Sequence, residues 1–222
     1  MKWRVDDGPV YSVLKVWLEP GEEVWAEPGA LMLMRGSVEV ETTSGGILRG
    51  LKRALLGGES FFMNRYVARG PAEVWFVPPV PGDIRGVELR GEAWVVQDAS
   101  YLAHSGGLEV DTRFRGFRGL LAEGELFWLE VRGSGTLWVS SYGAIEEVEV
   151  PPGETLVVDN FHLVAMPSDT DYSIRKFGGL KSFLFGGEGL LVEVRGPARV
   201  LVQTRILPPF AQLLARFLPR RD

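Results

Sequence analysis

The chain has 222 residues, 45% of them hydrophobic and 24% charged, with a net charge of −5. Such a composition buries a real core and excludes a disordered chain or a globally basic nucleic-acid binder. It holds no cysteine and two histidines, which excludes disulfides, thiol chemistry and thiolate metal sites and leaves little for histidine chemistry.

The N-terminus, Met1-Lys2-Trp3-Arg4-Val5-Asp6-Asp7, reaches carboxylates before any apolar stretch forms. That is not the apolar core of a secretory signal. No apolar run approaches the ~18 residues of a spanning helix. The expectation is a cytoplasmic protein, at most peripheral to a membrane.

Arg69-Gly70, Arg132-Gly133 and Arg195-Gly196 recur at a spacing of 63 residues. Residues 124–139 laid on 187–202 match at 7 of 16 positions without gaps, which lifts the spacing above chance. Gly21-Glu22, Gly91-Glu92 and Gly153-Glu154 each open a short apolar run that ends on a polar side chain: Glu27, Gln97 or Asp159. Gly45-Gly46, Gly106-Gly107 and Gly178-Gly179 each precede an insert that closes on Gly-Glu. Three elements in the same order three times give repeats at 1–78, 79–143 and 144–207.

Within a repeat, Phe127, Leu129 and Val131 alternate with Trp128, Glu130 and Arg132, the period of a half-buried strand. Gly133-Ser134-Gly135 then predicts a hairpin turn before Leu137 and Val139 resume the alternation. Gly70-Pro71 and Gly196-Pro197 read the same way. Pro20-Gly21, Pro81-Gly82 and Pro152-Gly153 predict the turns of further hairpins. The expected fold is all-β. Its three β-rich units of about 63 residues share one interior around a pseudo-threefold axis, as a single domain over 1–207. A short helix is expected in the first insert, Ile47 to Leu56. An amphipathic helix is expected over 208–222, where Phe210, Leu213, Leu214, Phe217 and Leu218 make an apolar stripe.

Ala26-Glu27-Pro28-Gly29-Ala30-Leu31-Met32, Gly57-Gly58-Glu59-Ser60-Phe61-Phe62, Ser141-Tyr142-Gly143, Val158-Asp159 and Gln203-Thr204-Arg205 resemble signature stretches of one family. It is the altered-inheritance-of-mitochondria type of mitochondrial biogenesis protein, with bacterial and archaeal members of unknown function. The resemblance covers roughly residues 1–206. It implies a sheet body similar to that of the tryptophan RNA-binding attenuation protein, a double-stranded β-helix-like arrangement. It brings no catalytic residues, and shared fold does not carry RNA or tryptophan binding with it.

No constellation in the chain reads as catalytic, so a non-enzyme without cofactor or metal is expected. His104, Ser105 and Asp98 form a triad only on paper, without a nucleophile-elbow motif. His104 corresponds to Met166 in the next repeat, so the two histidines, His104 and His162, are not equivalent ligands. Glu27, Gln97 and Asp159 could ring the pseudo-axis as a polar layer and hold a small ligand. The inserts carry Arg49, Lys52 and Arg53, then Arg113, Phe114, Arg115, Phe117 and Arg118, then Lys181. This basic–aromatic set reads as a docking face for an anionic membrane surface or an unknown protein; the plainer reading is solvated arginines over packed apolar residues. The C-terminal stripe reads as a packed helix or as a homo-oligomer interface. Nucleic acid is disfavoured, because salt-dependent binding would have to come from the inserts alone.

Overall fold

The computed structural model describes residues 1–43, 62–111, 128–176 and 190–218. It is predominantly β. In the first part, β1 (Lys2–Asp6) pairs with β2 (Val13–Leu18), whose side chains alternate between half-buried and buried. A turn at Pro20-Gly21 leads to β3 (Glu23–Ala26); Gly21 sits at φ 87° and Glu22 N–H bonds the Glu19 carbonyl at 3.0 Å. That positive φ is one that glycine adopts without a Cβ penalty. β4 (Leu31–Thr43) and β5 (Met63–Phe76) complete this part.

β2 and β3 do not form a hairpin with each other. Both run antiparallel along one edge of β5, with Leu18 opposite Ala72 and Glu23 opposite Val67, while β4 takes the other edge. In the second part, β6 (Ile84–Gln97) and β9 (Trp128–Ser140) make the same kind of pair. β7 (Tyr101–Ser105) and β8 (Leu108–Asp111) lie on the far edge of β9. In the third part, β10 (Ile145–Val150) and β11 (Thr155–Asp159) run against β15 (Ala198–Gln203) and β14 (Leu190–Arg195), respectively. β12 (Leu163–Pro167) and β13 (Tyr172–Lys176) take the far edges of β15 and β14.

The hairpins expected at the Arg-Gly sites are therefore corrected. β5 and β9 run straight through Gly70 and Gly133, and β14 and β15 do not pair with each other. Each glycine site is a place where a strand bends and changes partners. A bent strand and a hairpin leave the same sequence trace, alternation on both sides of a glycine, so periodicity alone does not separate them. Gly133 shows the need: it has φ 119°, and a Cβ there would meet the Gly107 carbonyl oxygen at 2.4 Å. Pro81-Gly82 is no hairpin tip either; Gly82 forms parallel bridges to both Tyr11 and Gly143.

A 12-stranded sheet runs β1-β2-β5-β3-β7-β9-β6-β12-β15-β10, with β4 added on β5 and β8 on β9; β11, β14 and β13 form a second sheet. Neighbouring parts join at two seams. Ala26, Trp25 and Val24 of β3 pair with Ala103, His104 and Ser105 of β7. Val96, Val95 and Trp94 of β6 pair with Ala165, Met166 and Pro167 of β12.

Among the described residues the buried apolar side chains form three clusters, where the sequence led us to expect one shared space. The first is built mainly from residues 14–76 but includes Ile84, Leu102 and Trp138. The second, mainly 87–139, takes in Met63, Ile145 and Leu201. The third, mainly 148–202, takes in Val95 and Trp128. Each part lends large side chains to its neighbour, because a unit of a few strands cannot cover its own apolar face.

Helix α1 (Leu207–Ala215) follows the last strand, beginning one residue before the expected 208–222 segment and covering its first part. Pro208 and Pro209 occupy its first turn, where a missing N–H costs nothing. The expected Ile47–Leu56 helix lies outside the described residues.

Candidate functional site

The β3–β7 seam holds a buried polar network. Tyr101 and His104 both lie on β7, whose five residues are all buried. The Tyr101 hydroxyl is 2.6 Å from His104 Nδ1 and donates to Met63 Sδ at 3.3 Å. A neutral His104 with its proton on Nδ1 donates to the phenol oxygen and satisfies this geometry. Trp25 stacks parallel to the imidazole, at 6.0 Å between centroids and 4° between planes. Trp25 Nε1 donates to Glu23 at 3.0 Å. Arg65 lies over Trp25, 5.5 Å from the ring centroid, and bonds both Glu23 and Glu41. Charge at the surface thus connects through an aromatic ring to an imidazole in the core.

Burial sets the titration of this network. It pushes His104 down to about 4, with the Glu23 charge opposing. It raises Tyr101 well above the usual phenol value, with Glu27 adding to the effect. Glu27 is pushed up to about 8, first by burial and then by the Asp98 carboxylate. Its backbone N–H bonds the Leu102 carbonyl at 2.9 Å, which holds it against β7. Its Oε1 is buried and has no hydrogen-bond partner among the described residues.

The polar-layer candidates lie at the ends of β6 and β11 and just past the end of β3. Glu27 faces Asp98 and Tyr101. Gln97 is buried and accepts a weak hydrogen bond from the Ser100 hydroxyl at 3.5 Å. Asp159 accepts from the Phe161 N–H at 2.9 Å. The paper triad is not assembled: His104 Nδ1 faces Tyr101, and Ser105 Oγ accepts from the Thr136 N–H at 2.8 Å. His162 Nδ1 lies 2.6 Å from the Gln203 carbonyl. Among the described residues, no three His, Asp or Glu side chains gather as metal ligands. Arg49, Lys52, Arg53, Arg113, Phe114, Arg115, Phe117, Arg118 and Lys181 all lie outside the described residues.

A second feature stands at the Tyr11–Gly82–Gly143 end. Arg205 N–H bonds the Tyr142 carbonyl, Thr204 N–H bonds the Ala144 carbonyl, and α1 leaves from there. Phe210 meets the Tyr142 ring at 5.7 Å. The packed-helix reading of the stripe is corrected: no residue of α1 is buried, and Phe210, Leu213, Leu214, Phe217 and Leu218 are all exposed, Phe217 at 79%. Tyr11 beside Gly82 is 72% exposed and edges a shallow, open apolar cleft of about 300 Å³ with Val77 and Pro78–Pro81. No helix among the described residues is long and apolar enough to cross a membrane.

The profile of one family, described as mitochondrial biogenesis AIM24, matches residues 3–205. The chain belongs to the AIM24 family. It is 27% identical over 228 residues to an uncharacterized protein of Streptococcus pyogenes serotype M6, M6_Spy0233, covering 99% of this chain and 92% of the relative. The crystal structure of protein SPYM3_0169 from Streptococcus pyogenes superposes with a TM-score of 0.80 at 27% identity, covering 98% of this chain and 99% of that one. The AIM24 match ends at Arg205, before α1 begins at Leu207. The Tyr101–His104 network, by contrast, lies inside the AIM24 region. Its members Trp25, Glu23 and Arg65 escaped the sequence reading, because only the cross-seam register brings Trp25 to His104.

Proposed function

We propose that this AIM24-family chain is a non-catalytic scaffold or interaction module, cytoplasmic and peripheral to a membrane, that docks on an anionic surface. The observation that carries this reading is α1, attached to the body with its large apolar side chains in water. Burying each such side chain is worth about 1.5–3 kcal/mol, a gain left for a partner to realise. Residues 205–222 contain Arg205, Arg216, Arg220 and Arg221 against one acidic side chain, Asp222, in a chain of net charge −5. Neither Arg205 nor Arg216 makes an ion pair among the described residues. The basic–aromatic inserts would extend the same docking chemistry.

The body is proposed to be three repeats around a pseudo-threefold axis, in the manner of the tryptophan RNA-binding attenuation protein. Three strand pairs with a common bend support this, as does an irregularity of register at Met32, Leu102 and Val164 alike. The test of docking is flotation with phosphatidylglycerol-rich and with phosphatidylcholine vesicles at low salt. Association with the first alone is expected, and equal failure on both rejects the membrane reading. Affinity capture from cells, with the insert arginines intact or neutralised, then tests an acidic protein as the surface.

A second reading, a small-ligand site near the axis, is favoured by one observation, the buried and unpartnered Glu27 Oε1. Thermal shifts across a metabolite panel, lost in Glu27→Ala, would support it.

A further inference from the structure

The end of the body from which α1 leaves is built as one platform. Three turns meet there, stitched in a row by backbone bonds. Ser12 N–H donates to the Gly82 carbonyl at 3.1 Å, Gly143 N–H to the Pro81 carbonyl at 3.0 Å, and Arg205 N–H to the Tyr142 carbonyl at 3.2 Å. Asp83 locks the row, accepting from the Ser12 hydroxyl at 3.0 Å and from the Ile84 N–H at 2.8 Å. The Phe210 ring against Tyr142 then ties α1 to the last of the three turns.

What this end turns toward water is apolar. Val10 and Tyr11 stand exposed on the first turn, and Val77 with the prolines of the second forms the open cleft beside them. The α1 stripe continues the same surface. Contiguous apolar area of this kind marks an interaction site. Its backbone is suited to a medium poor in water. Pro9, Pro78, Pro79 and Pro81 remove four N–H groups from two of the turns, and an amide hydrogen left unpaired in a lipid phase is costly. Tyr11 and Tyr142 each join an apolar ring to a hydroxyl tip, the side-chain type enriched where a bilayer meets water. The charge has the complementary sign for an anionic surface: Arg205, Arg216, Arg220 and Arg221 stand against Asp222 and the Asp7 of the first turn.

We propose that the Tyr11 turn and the cleft beside it enter an anionic bilayer interface together with α1, a footprint that rests on the docking reading of the helix and extends it onto the body. The occupant is a bilayer because the cleft is shallow and open, without the enclosed pocket that anchors a side chain of a protein partner. A helix of nine residues is too short to span a bilayer but can lie in its interface. The stitched turns give the body one fixed orientation, with the Tyr11–Gly82–Gly143 end facing the lipid.

The cysteine-free chain makes the test direct. Tyr11→Cys, Phe217→Cys and Asp169→Cys are each labelled with an environment-sensitive fluorophore, after thermal melts have confirmed folding. All three positions are exposed. Asp169 serves as the reference, because its turn is held by Ser168 N–H on the Ala93 carbonyl, in the middle of β6 and away from the platform. On phosphatidylglycerol-rich vesicles at low salt, the labels at 11 and 217 are expected to shift to the blue and that at 169 to stay unchanged. Phosphatidylcholine vesicles are expected to move none. A response at 217 with silence at 11 would overturn the proposal while leaving helix docking intact. Silence at both, with no flotation, would reject the docking reading and the footprint together. Equal shifts at all three would mean adsorption without orientation and would also overturn it. The unlabelled double variant Val10→Ser with Tyr11→Ser keeps α1 whole. Its affinity for the anionic vesicles is expected to fall about tenfold or more, and an unchanged affinity would count against the footprint.

Discussion

His104 Nδ1 lies 2.6 Å from the Tyr101 hydroxyl inside a strand with no solvent-exposed residue, so the imidazole is held neutral. An unfolded chain takes up the histidine proton near pH 6.5, whereas the folded chain resists until about 4. The unfolded state therefore binds more protons in this window, and stability falls as pH drops from 6.5 toward 4. At 1.36 kcal/mol per pKa unit the full effect is about 3 kcal/mol. Replacing the pair together, His104→Phe with Tyr101→Phe, removes the ionisation along with the hydroxyl that faces the ring. Urea midpoints measured between pH 4 and 7 should lose this acid-side slope, and an unchanged slope would place its origin elsewhere.

Glu27 has the opposite sign. Its folded value is raised to about 8, so the folded state keeps a proton that the unfolded chain releases near pH 4.5. Its contribution is complete below pH 4.5 and is lost as pH rises through 8. Glu27→Gln cannot ionise, so its stability relative to wild type should improve steadily across that range, by a few kcal/mol in all. A difference between the two proteins that stays constant with pH refutes this account.

Two glycines separate space from backbone strain. Gly91 has φ 108° but open surroundings, whereas a Cβ at Gly82 would lie 1.6 Å from the Ser141 carbonyl oxygen. Gly91→Ala should cost about 1–2 kcal/mol from its backbone conformation alone. Gly82→Ala must push apart the junction of Tyr11, Gly82 and Gly143 and should cost more than about 3 kcal/mol. Calorimetric melts of the two variants side by side check the order.

The exposed stripe of α1 predicts a split between stability and binding. Leu213→Asp with Phe217→Asp removes no buried contact, so stability should stay within about 0.5 kcal/mol of wild type. Retention on anionic vesicles should fall to the level seen with neutral ones. A large drop in melting temperature would mean that the helix packs on the body in solution.

Much of the architecture was legible in the residues. Alternation such as Leu129, Val131, Leu137 and Val139 marked the strands, and the Phe210-to-Leu218 spacing marked α1. The glycines were harder. Gly133 interrupts a strand that continues, and nothing local tells a bend from a reversal, since that depends on which partner lies alongside. The candidate site was half legible for the same reason. His104 and Glu27 stood out as rare or repeated residues, but Trp25 over His104 is a pairing across 79 positions, fixed by register alone. The pattern also suggested a single interior. Met63 sitting in the second cluster and Val95 in the third show that the parts interlock through separate cores.

The three inserts share one attachment. Residues 44–62 connect β4 to β5 where Thr43 pairs with Met63, 112–127 connect β8 to β9 where Asp111 pairs with Glu130, and 177–189 connect β13 to β14 where Lys176 pairs with Leu190. Each is thus closed at its base by an antiparallel pair whose alignment is fixed from the opposite side. A frame fixed in this way tolerates changes in the length and composition of each connection one at a time, without loss of strand register.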